Sequence, residues 1–134
     1  MIEPAPSNRP LVLVADDDED ILTLVTFRLE RLGCDVVKAR TGDEALRVAL
    51  GQVPDLAVLD VTMPGLDGYS VTRELRRAEP TSAMPIILLT ARAQEADVAR
   101  GLAAGADDYI RKPFDARDLH ERVERLLSRG PEPS

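Results

Sequence analysis

LAVLD at residues 56–60 is a run of four aliphatic side chains closed by an aspartate. LVLVADD at residues 11–17 and IILLT at residues 86–90 follow the same plan, an apolar run with a polar residue directly after it. Runs this continuous are typical of strands buried on both faces, as in a parallel sheet covered by helices. These three stretches therefore predict the centre of an α/β domain.

Two weaker strands and five helical segments fill the rest of the chain. The predicted strands lie at residues 11–15, 35–39, 56–59, 86–89 and 107–110. Apolar residues at helical spacing predict helices at residues 19–32, 43–50, 69–78, 94–104 and 116–127. Because strands and helices alternate strictly, we expect right-handed crossovers and a doubly wound, five-stranded parallel sheet with helices on both faces.

The predicted helices differ in the size of the side chains on their inward faces. The predicted inward face of the first helix is large and aliphatic, formed by Ile21, Leu24, Val25, Leu29 and Leu32. The predicted inward face of the fourth helix is mostly small, formed by Ala96, Val98, Ala99, Leu102 and Ala103. Gly101 also lies inside this helix, so we expect the fourth helix to be the most loosely held element.

Composition limits the classes of function. A chain of 134 residues that is 44% hydrophobic fits one domain, predicted at 10–128 between a disordered segment at 1–9 and a flexible tail or linker stub at 129–134. The net charge of −7 argues against direct nucleic-acid binding by this domain. With one cysteine and no apolar run near the roughly 20 residues that cross a bilayer, we expect a cytoplasmic protein with no membrane role.

Polar residues follow the predicted strands at one edge of the sheet: Asp16, Asp17, Asp60, Thr90 and Lys112. Three crowded carboxylates repel one another unless a cation is present, which predicts Mg²⁺, with Mn²⁺ as the alternative ion. Lys112 is one of only two lysines among 17 basic residues. With the metal it would neutralise a phosphoryl group while Asp60 attacks phosphorus and becomes an acyl phosphate.

Four segments together resemble the receiver domain of two-component response regulators. They are LVLVADD at 11–17, LDVTMPGLDG at 59–68, LLTA at 88–91 and GADDYIRKPF at 105–114. The resemblance implies a CheY-like, flavodoxin-like (βα)5 fold that works as a switch in signal transduction or in a phosphorelay. It also implies that the phosphoryl group comes from a phosphohistidine on a sensor histidine kinase or a histidine phosphotransfer protein.

The resemblance assigns a role to each residue of the predicted site. Asp60 is the phosphoacceptor, and Asp17, Asp60 and the backbone carbonyl of Thr62 are metal ligands. Asp16 acts on the metal through water, and Lys112 pairs with the phosphoryl oxygens. A domain of this kind catalyses its own Mg²⁺-dependent phosphorylation and dephosphorylation and is not a conventional enzyme.

The resemblance also implies how the switch is read out. Thr90 and Tyr109 resemble a switch pair in which the hydroxyl turns toward the phosphoryl group and the aromatic ring enters the vacated space. A cis bond is expected at Lys112–Pro113. The fourth helix, fifth strand and fifth helix are the expected signalling face for a homodimer or a partner, with Asp108 and Arg122 in a symmetric charged contact.

Two other functions stay open on the sequence. A phosphatase of the haloacid dehalogenase type also forms a phosphoaspartate, but it places the nucleophile after the first strand with a second acid two residues on, where this chain has Thr62. A receiver-like docking module that is never phosphorylated is disfavoured because all five chemical positions are present. His120, the only histidine, is rejected as a phosphotransfer residue because the pattern predicts no helical bundle.

Overall fold

The computed structural model describes residues 9–91 and 95–128. The strands are β1 Leu11–Ala15, β2 Asp35–Ala39, β3 Leu56–Asp60, β4 Ile86–Thr90 and β5 Asp108–Arg111. The helices are α1 Glu19–Arg31, α2 Gly42–Gln52, α3 Gly68–Arg77, α4 Glu95–Ala104 and α5 Ala116–Ser128, with a 3₁₀ turn at Glu79–Thr81. Residues 1–8 of the segment predicted to be disordered at 1–9, and the predicted tail at 129–134, lie outside the described residues. At the edge of that segment, Arg9 donates to Asp35 at 2.9 Å.

The sheet is parallel throughout, with the strand order β2-β1-β3-β4-β5. The predicted doubly wound, five-stranded α/β fold is therefore confirmed. The chain first builds from β1 toward β2 and then crosses back to build from β3 toward β5. The direction reverses between β1 and β3, and the crevice outside the carboxyl ends of these strands is the usual ligand site of such sheets.

Alternating strand residues feed two apolar layers, as the two-residue period of a strand requires. Val12, Val14, Val58, Ile87 and Leu89 pack toward α1 and α5. Leu13, Ala57, Leu59, Ile86 and Leu88 pack toward α2, α3 and α4. Among the residues that the structure describes, no helix combines the length and the apolar character that a membrane span needs.

Side-chain caps fix where the first three helices begin. Asp18 accepts from the backbone N–H of Asp20 at 2.9 Å and so starts α1 directly after β1. Thr41 caps α2 through the N–H of Glu44, and Asp67 caps α3 in the same way. A side-chain cap of this kind stabilises a helix by about 1 kcal/mol. Because α1 starts this close to the end of β1, the short β1–α1 connection stays at the edge of the crevice.

One part of the predicted α1 face is wrong. Leu24 was expected to face the core but is 41% exposed, whereas Leu22 is buried. The buried positions are Leu22, Val25 and Leu29, at spacings of three and four residues. Both leucines are compatible with an amphipathic pattern, and packing against the sheet decides between them.

The predicted inward face of α4 is also wrong. Three residues expected inside are exposed, namely Ala99, Leu102 and Ala103, while the side chain of Ala96 lies outside the description. Among residues 97–104, the part of α4 whose side chains are described, Gly101 and Ala104 are buried. A Cβ built on Gly101 would stand 2.9 Å from Leu88 Cδ1, so the missing side chain is what lets α4 lie this close to the sheet.

Candidate active site

The three predicted carboxylates meet at the carboxyl ends of β1 and β3. Asp16 is fully buried and Asp60 is 5% exposed, whereas Asp17 is open to solvent. The strands pair in register, Ala15 opposite Leu59, so the acids that follow are neighbours. One oxygen from each of the three carboxylates lies within 4.8 Å of the others. The sequence prediction of an acidic cluster at this edge is confirmed.

Lys112 reaches the cluster from the far side of the crevice. Its Nζ donates to Asp16 Oδ2 at 2.9 Å and to Asp60 Oδ1 at 3.0 Å. Its backbone N–H donates to the carbonyl of Thr90 at 2.7 Å, which ties the end of β5 to the end of β4. The Lys112–Pro113 bond is cis, as the sequence resemblance implied.

Burial dominates the electrostatics of the cluster. It raises the pKa of Asp60 to about 6, and the negative charges of Asp16 and Asp17 act in the same direction, while the hydrogen bond from Lys112 opposes them. Burial lowers the pKa of the Lys112 ammonium, but its bonds to the two aspartates outweigh this and raise the pKa above its usual value. The single ammonium does not fully compensate the carboxylates, so the site favours a further cation.

The donor set fits a hard divalent cation. Carboxylate oxygens are the ligands that Mg²⁺ prefers, and Mg²⁺ keeps several waters of its own, so it needs an open side. Asp17 gives the cluster that open side because its carboxylate faces solvent. Thr62 is exposed and lies two residues beyond Asp60 in the loop after β3. Its backbone carbonyl as a ligand stays a prediction.

Thr90 and Tyr109 lie on the side of the sheet that α4 covers, with Thr90 at the end of the strand next to β3. Thr90 closes β4 and is buried; Asp60 is paired with Leu89, the residue before it. Tyr109 is half-buried, is paired with Leu88, and packs in the same apolar layer as that residue. Since side chains alternate along a strand, Thr90 points to the same layer as Leu88. The two residues predicted to form the switch pair are therefore on one face.

Comparison with known proteins identifies the family of the chain. The model of the response regulator receiver domain matches residues 12–124. The chain belongs to this family. The receiver domain is 48% identical over 119 residues to the alkaline phosphatase synthesis transcriptional regulatory protein PhoP of Bacillus subtilis. That alignment covers 89% of this chain and 49% of the relative, so the chain spans about half the length of this curated relative.

Solved structures agree with the family. The receiver domain of the Francisella response regulator 1452 has a TM-score of 0.86 and 37% identity, over 92% of this chain and all of that one. The receiver domain of the sensor histidine kinase PA1611 from Pseudomonas aeruginosa has a TM-score of 0.84 and 36% identity, over 90% and 98%. The latter is described with a magnesium ion coordinated in its active-site cleft. The chain is thus a receiver domain of two-component signalling with the CheY-like, flavodoxin-like fold.

Sequence reasoning did not single out Tyr69, which it treated only as the first residue of a helix. In the receiver domain Tyr69 is buried, and its hydroxyl donates to the backbone carbonyl of Asp97 in α4 at 3.3 Å. The one signal in the sequence that pointed to Tyr69 is an aromatic hydroxyl at the start of the helix that follows the Asp60 loop. His120, which the sequence rejected, is half-exposed on α5 and pairs with Glu124 at 3.0 Å.

Proposed function

We propose that this receiver domain is a switch in which Asp60 accepts a phosphoryl group from a phosphohistidine. The donor is a sensor histidine kinase or a histidine phosphotransfer protein, and the setting is the cytoplasm. The observation that carries the proposal is the placement of Asp60, a buried carboxylate at a strand end with the Lys112 ammonium 3.0 Å away and two further acids beside it. A carboxylate buried for structural reasons alone would not be placed beside two further acids, whose negative charges raise its pKa.

Asp16, Asp17, Asp60 and the carbonyl of Thr62 would hold the metal, Mg²⁺ or alternatively Mn²⁺. The bound cation would supply charge neutralisation for the phosphoryl oxygens. The acidic cluster and the magnesium ion described in the PA1611 receiver support this assignment.

The chain's own residues account for the transfer. A carboxylate oxygen of Asp60 attacks phosphorus, the new O–P bond forms as the P–N bond to the donor imidazole breaks, and the imidazole leaves with the electron pair. Lys112 already donates to Asp60. During the transfer its ammonium can donate to a phosphoryl oxygen and so stabilise the negative charge there. Thr90 stands at the neighbouring strand end with a hydroxyl for another phosphoryl oxygen. Hydrolysis by water would reset the switch.

The expected signalling face is formed by α4, β5 and α5. On this face Arg122 pairs within the chain with Asp108 and also with Asp118 at 2.9 Å. A symmetric homodimer through this face would exchange these partners between two copies. The curated relatives are named as transcriptional regulators of about twice this length, so such a face would pass the signal to further parts of a regulator. Sedimentation with and without beryllofluoride tests the dimer, and an unchanged monomer contradicts it.

Mass spectrometry after incubation with acetyl phosphate and Mg²⁺ tests the central proposal. We expect the natural chain to gain one phosphoryl group and Asp60→Asn to gain none. Asp55→Asn is a matched control, because Asp55 lies just before the other end of β3 and accepts only from the backbone of Leu11 in the described contacts. Equal labelling of all three proteins, or of none, contradicts the proposal.

The number of phosphoryl groups processed per chain distinguishes a receiver domain from the phosphatase alternative. A haloacid dehalogenase-type enzyme would hydrolyse many equivalents of p-nitrophenyl phosphate, whereas a receiver domain would hold about one phosphoryl group per chain. Sustained hydrolysis that is lost in Asp60→Asn would favour the phosphatase. A chain that labels with neither reagent but still binds a kinase would favour the docking module.

A further inference from the structure

Tyr69 connects α3 to the N-terminal half of α4. The side chain is 4% exposed, and its hydroxyl donates to the backbone carbonyl of Asp97 at 3.3 Å. One helical turn further, the guanidinium of Arg100 lies 4.5 Å from the centroid of the Tyr69 ring. The hydroxyl bond is long, so a small displacement breaks it. A single side chain therefore holds α4 by one hydrogen bond and one cation–π contact.

The Tyr69 hydroxyl also contacts Tyr109, the predicted switch residue. Tyr69 and Tyr109 are hydrogen-bonded through their side chains, and with burial as the larger cause this bond raises the pKa of Tyr69 to about 12. A bond that raises the pKa of Tyr69 is one that Tyr69 donates, so its single proton is shared between the Asp97 carbonyl and the Tyr109 oxygen. The proton needed for these bonds is present throughout the physiological range of pH.

Tyr109 also touches α4 directly. A Cβ on Gly101 would stand 3.2 Å from Cδ2 and 3.3 Å from Cε2 of the Tyr109 ring, so the backbone of α4 rests on that ring. A rotation of Tyr109 would remove this support and its hydrogen bond to Tyr69 together. Tyr109 thus acts on α4 in two ways, through Gly101 and through Tyr69.

The C-terminal end of α4 is held separately. Arg76 in α3 donates from Nε to the carbonyl of Gly105 at 2.9 Å and also pairs with Asp107 at 2.9 Å. Along α4 itself, the buried residues Gly101 and Ala104 are small, and Leu102 is 51% exposed. The helix thus has a polar anchor at its end and little large apolar burial along its length.

We propose that Tyr69 is a positioning residue that couples the rotamer of Tyr109 to the position of α4. When Tyr109 turns toward Thr90, it leaves both Gly101 and the Tyr69 hydroxyl, and the N-terminal half of α4 shifts about the end that Arg76 holds. The inference rests on the proposed function for its trigger. The contacts themselves belong to the unphosphorylated domain and can be tested without any phosphodonor.

Hydrogen exchange of the full chain without phosphodonor tests the contact first. Tyr69→Phe keeps the ring and the Arg100 contact but removes the hydroxyl. We expect the amides of α4 to exchange about tenfold faster, the change that the loss of one hydrogen bond predicts. Amides of α1 should stay within about twofold. Unchanged exchange in α4, or equal acceleration in α1, overturns the proposal, because the hydroxyl would then do nothing or only add global stability.

A double-mutant cycle tests the coupling between the two tyrosines. Tyr109→Phe should accelerate exchange in α4 when Tyr69 is present and should add little in the Tyr69→Phe background. Residues that act through one bond give non-additive effects of this kind. Additive effects of the two substitutions on α4 would overturn the coupling.

Beryllofluoride with Mg²⁺ then tests the response. In the natural chain this phosphoryl analogue should change exchange in α4, and in Tyr69→Phe the change should be several-fold smaller. Phosphorylation of Asp60 by acetyl phosphate should be retained in the variant, since the described contacts of the Tyr69 hydroxyl and ring are with Asp97, Arg100 and Tyr109. A full-sized change in Tyr69→Phe overturns the inference. If the natural chain takes no phosphoryl group, the proposed function fails, while the first two experiments still decide the coupling.

Discussion

The layer of α1 and α5 and the single helix α4 are attached to the same sheet by different kinds of contact. The first layer buries large aliphatic side chains, namely Leu22, Val25, Leu29, Leu119, Val123 and Leu126. Helix α4 buries Gly101 and Ala104 among its described side chains and is held by the polar groups of Tyr69 and Arg76. Apolar burial is non-directional and tolerates small shifts, whereas a hydrogen bond is lost within about an ångström.

This difference in packing fits the proposed switch, in which the acids stay in place while α4 shifts. Helix α1 begins two residues after Asp17, so strong packing of α1 keeps the acids in place. Helix α4 lies over Tyr109 and is attached by contacts that one side-chain rotation can break. A domain built this way can move one helix without losing its core, because low-stability elements open separately from the rest.

The largest test of this comparison is a cavity in the α1 layer. Leu29→Ala should lower the free energy of unfolding by about 4 kcal/mol, because Leu29 is fully buried and large-to-small changes leave a void. The matched change in α4, Leu102→Ala, should cost about 1 kcal/mol or less, since Leu102 is 51% exposed. Urea unfolding measures both values, and equal losses would remove the distinction between the two regions.

Alkaline pH should weaken the α4 side through Tyr69. Its pKa of about 12 in the folded protein lies above the usual tyrosine value of about 10, so folding favours the neutral hydroxyl. The stabilisation is complete below pH 10 and is lost as the pH rises toward 12. Two pKa units correspond to about 3 kcal/mol. Unfolding of the natural chain and of Tyr69→Phe between pH 9 and 11.5 measures it. If the free energy of unfolding depends on pH in the same way in both proteins, the pKa of Tyr69 is not raised by folding.

Arg76→Ala removes the anchor at the C-terminal end of α4. We expect a loss of about 2 kcal/mol, because the guanidinium donates to the carbonyls of Gly105 and Met84 and to Asp107. Arg77→Ala is the control: that side chain is 76% exposed, and its removal should change stability by at most about 0.5 kcal/mol. Urea unfolding compares the two variants, and equal effects would show that position 76 is no anchor.

Glycine-to-alanine changes give the smallest and sharpest test. In Gly101→Ala the new Cβ would press on Leu88 and the Tyr109 ring, at a cost that outweighs the gain in helix propensity by about 1 kcal/mol. Gly51→Ala in α2 meets nothing within 4 Å and should stabilise by about 0.5 kcal/mol. Thermal unfolding should therefore shift in opposite directions. A stabilised Gly101→Ala would mean that α4 is not closely packed.

Most of the fold follows from local patterns. The predicted strands agree with the observed ones to within one residue. For the three central strands the reason is that continuous aliphatic runs are typical of strands buried on both faces. The faces of α1 and α4 were harder. Leu22 and Leu24 are equally apolar, and only the sheet surface selects one of them. In α4 alanines occupy positions 96, 99, 103 and 104, on more than one side of the helix, so the pattern does not select one inward face, and contact with the Tyr109 ring sets the orientation.

The sequence by itself determined the order of strands and helices, the family, and the meeting of Asp16, Asp17, Asp60 and Lys112 at one edge. Strict alternation of strands and helices with right-handed crossovers brings the carboxyl ends of the strands to one edge of the sheet, independently of side-chain conformation. Only the tertiary structure decided the contacts of Tyr69 with Asp97 and of Arg76 with Gly105, which join residues 28 and 29 positions apart. Such contacts depend on rotamers and on helix orientation, and no local pattern in the chain encodes either of these.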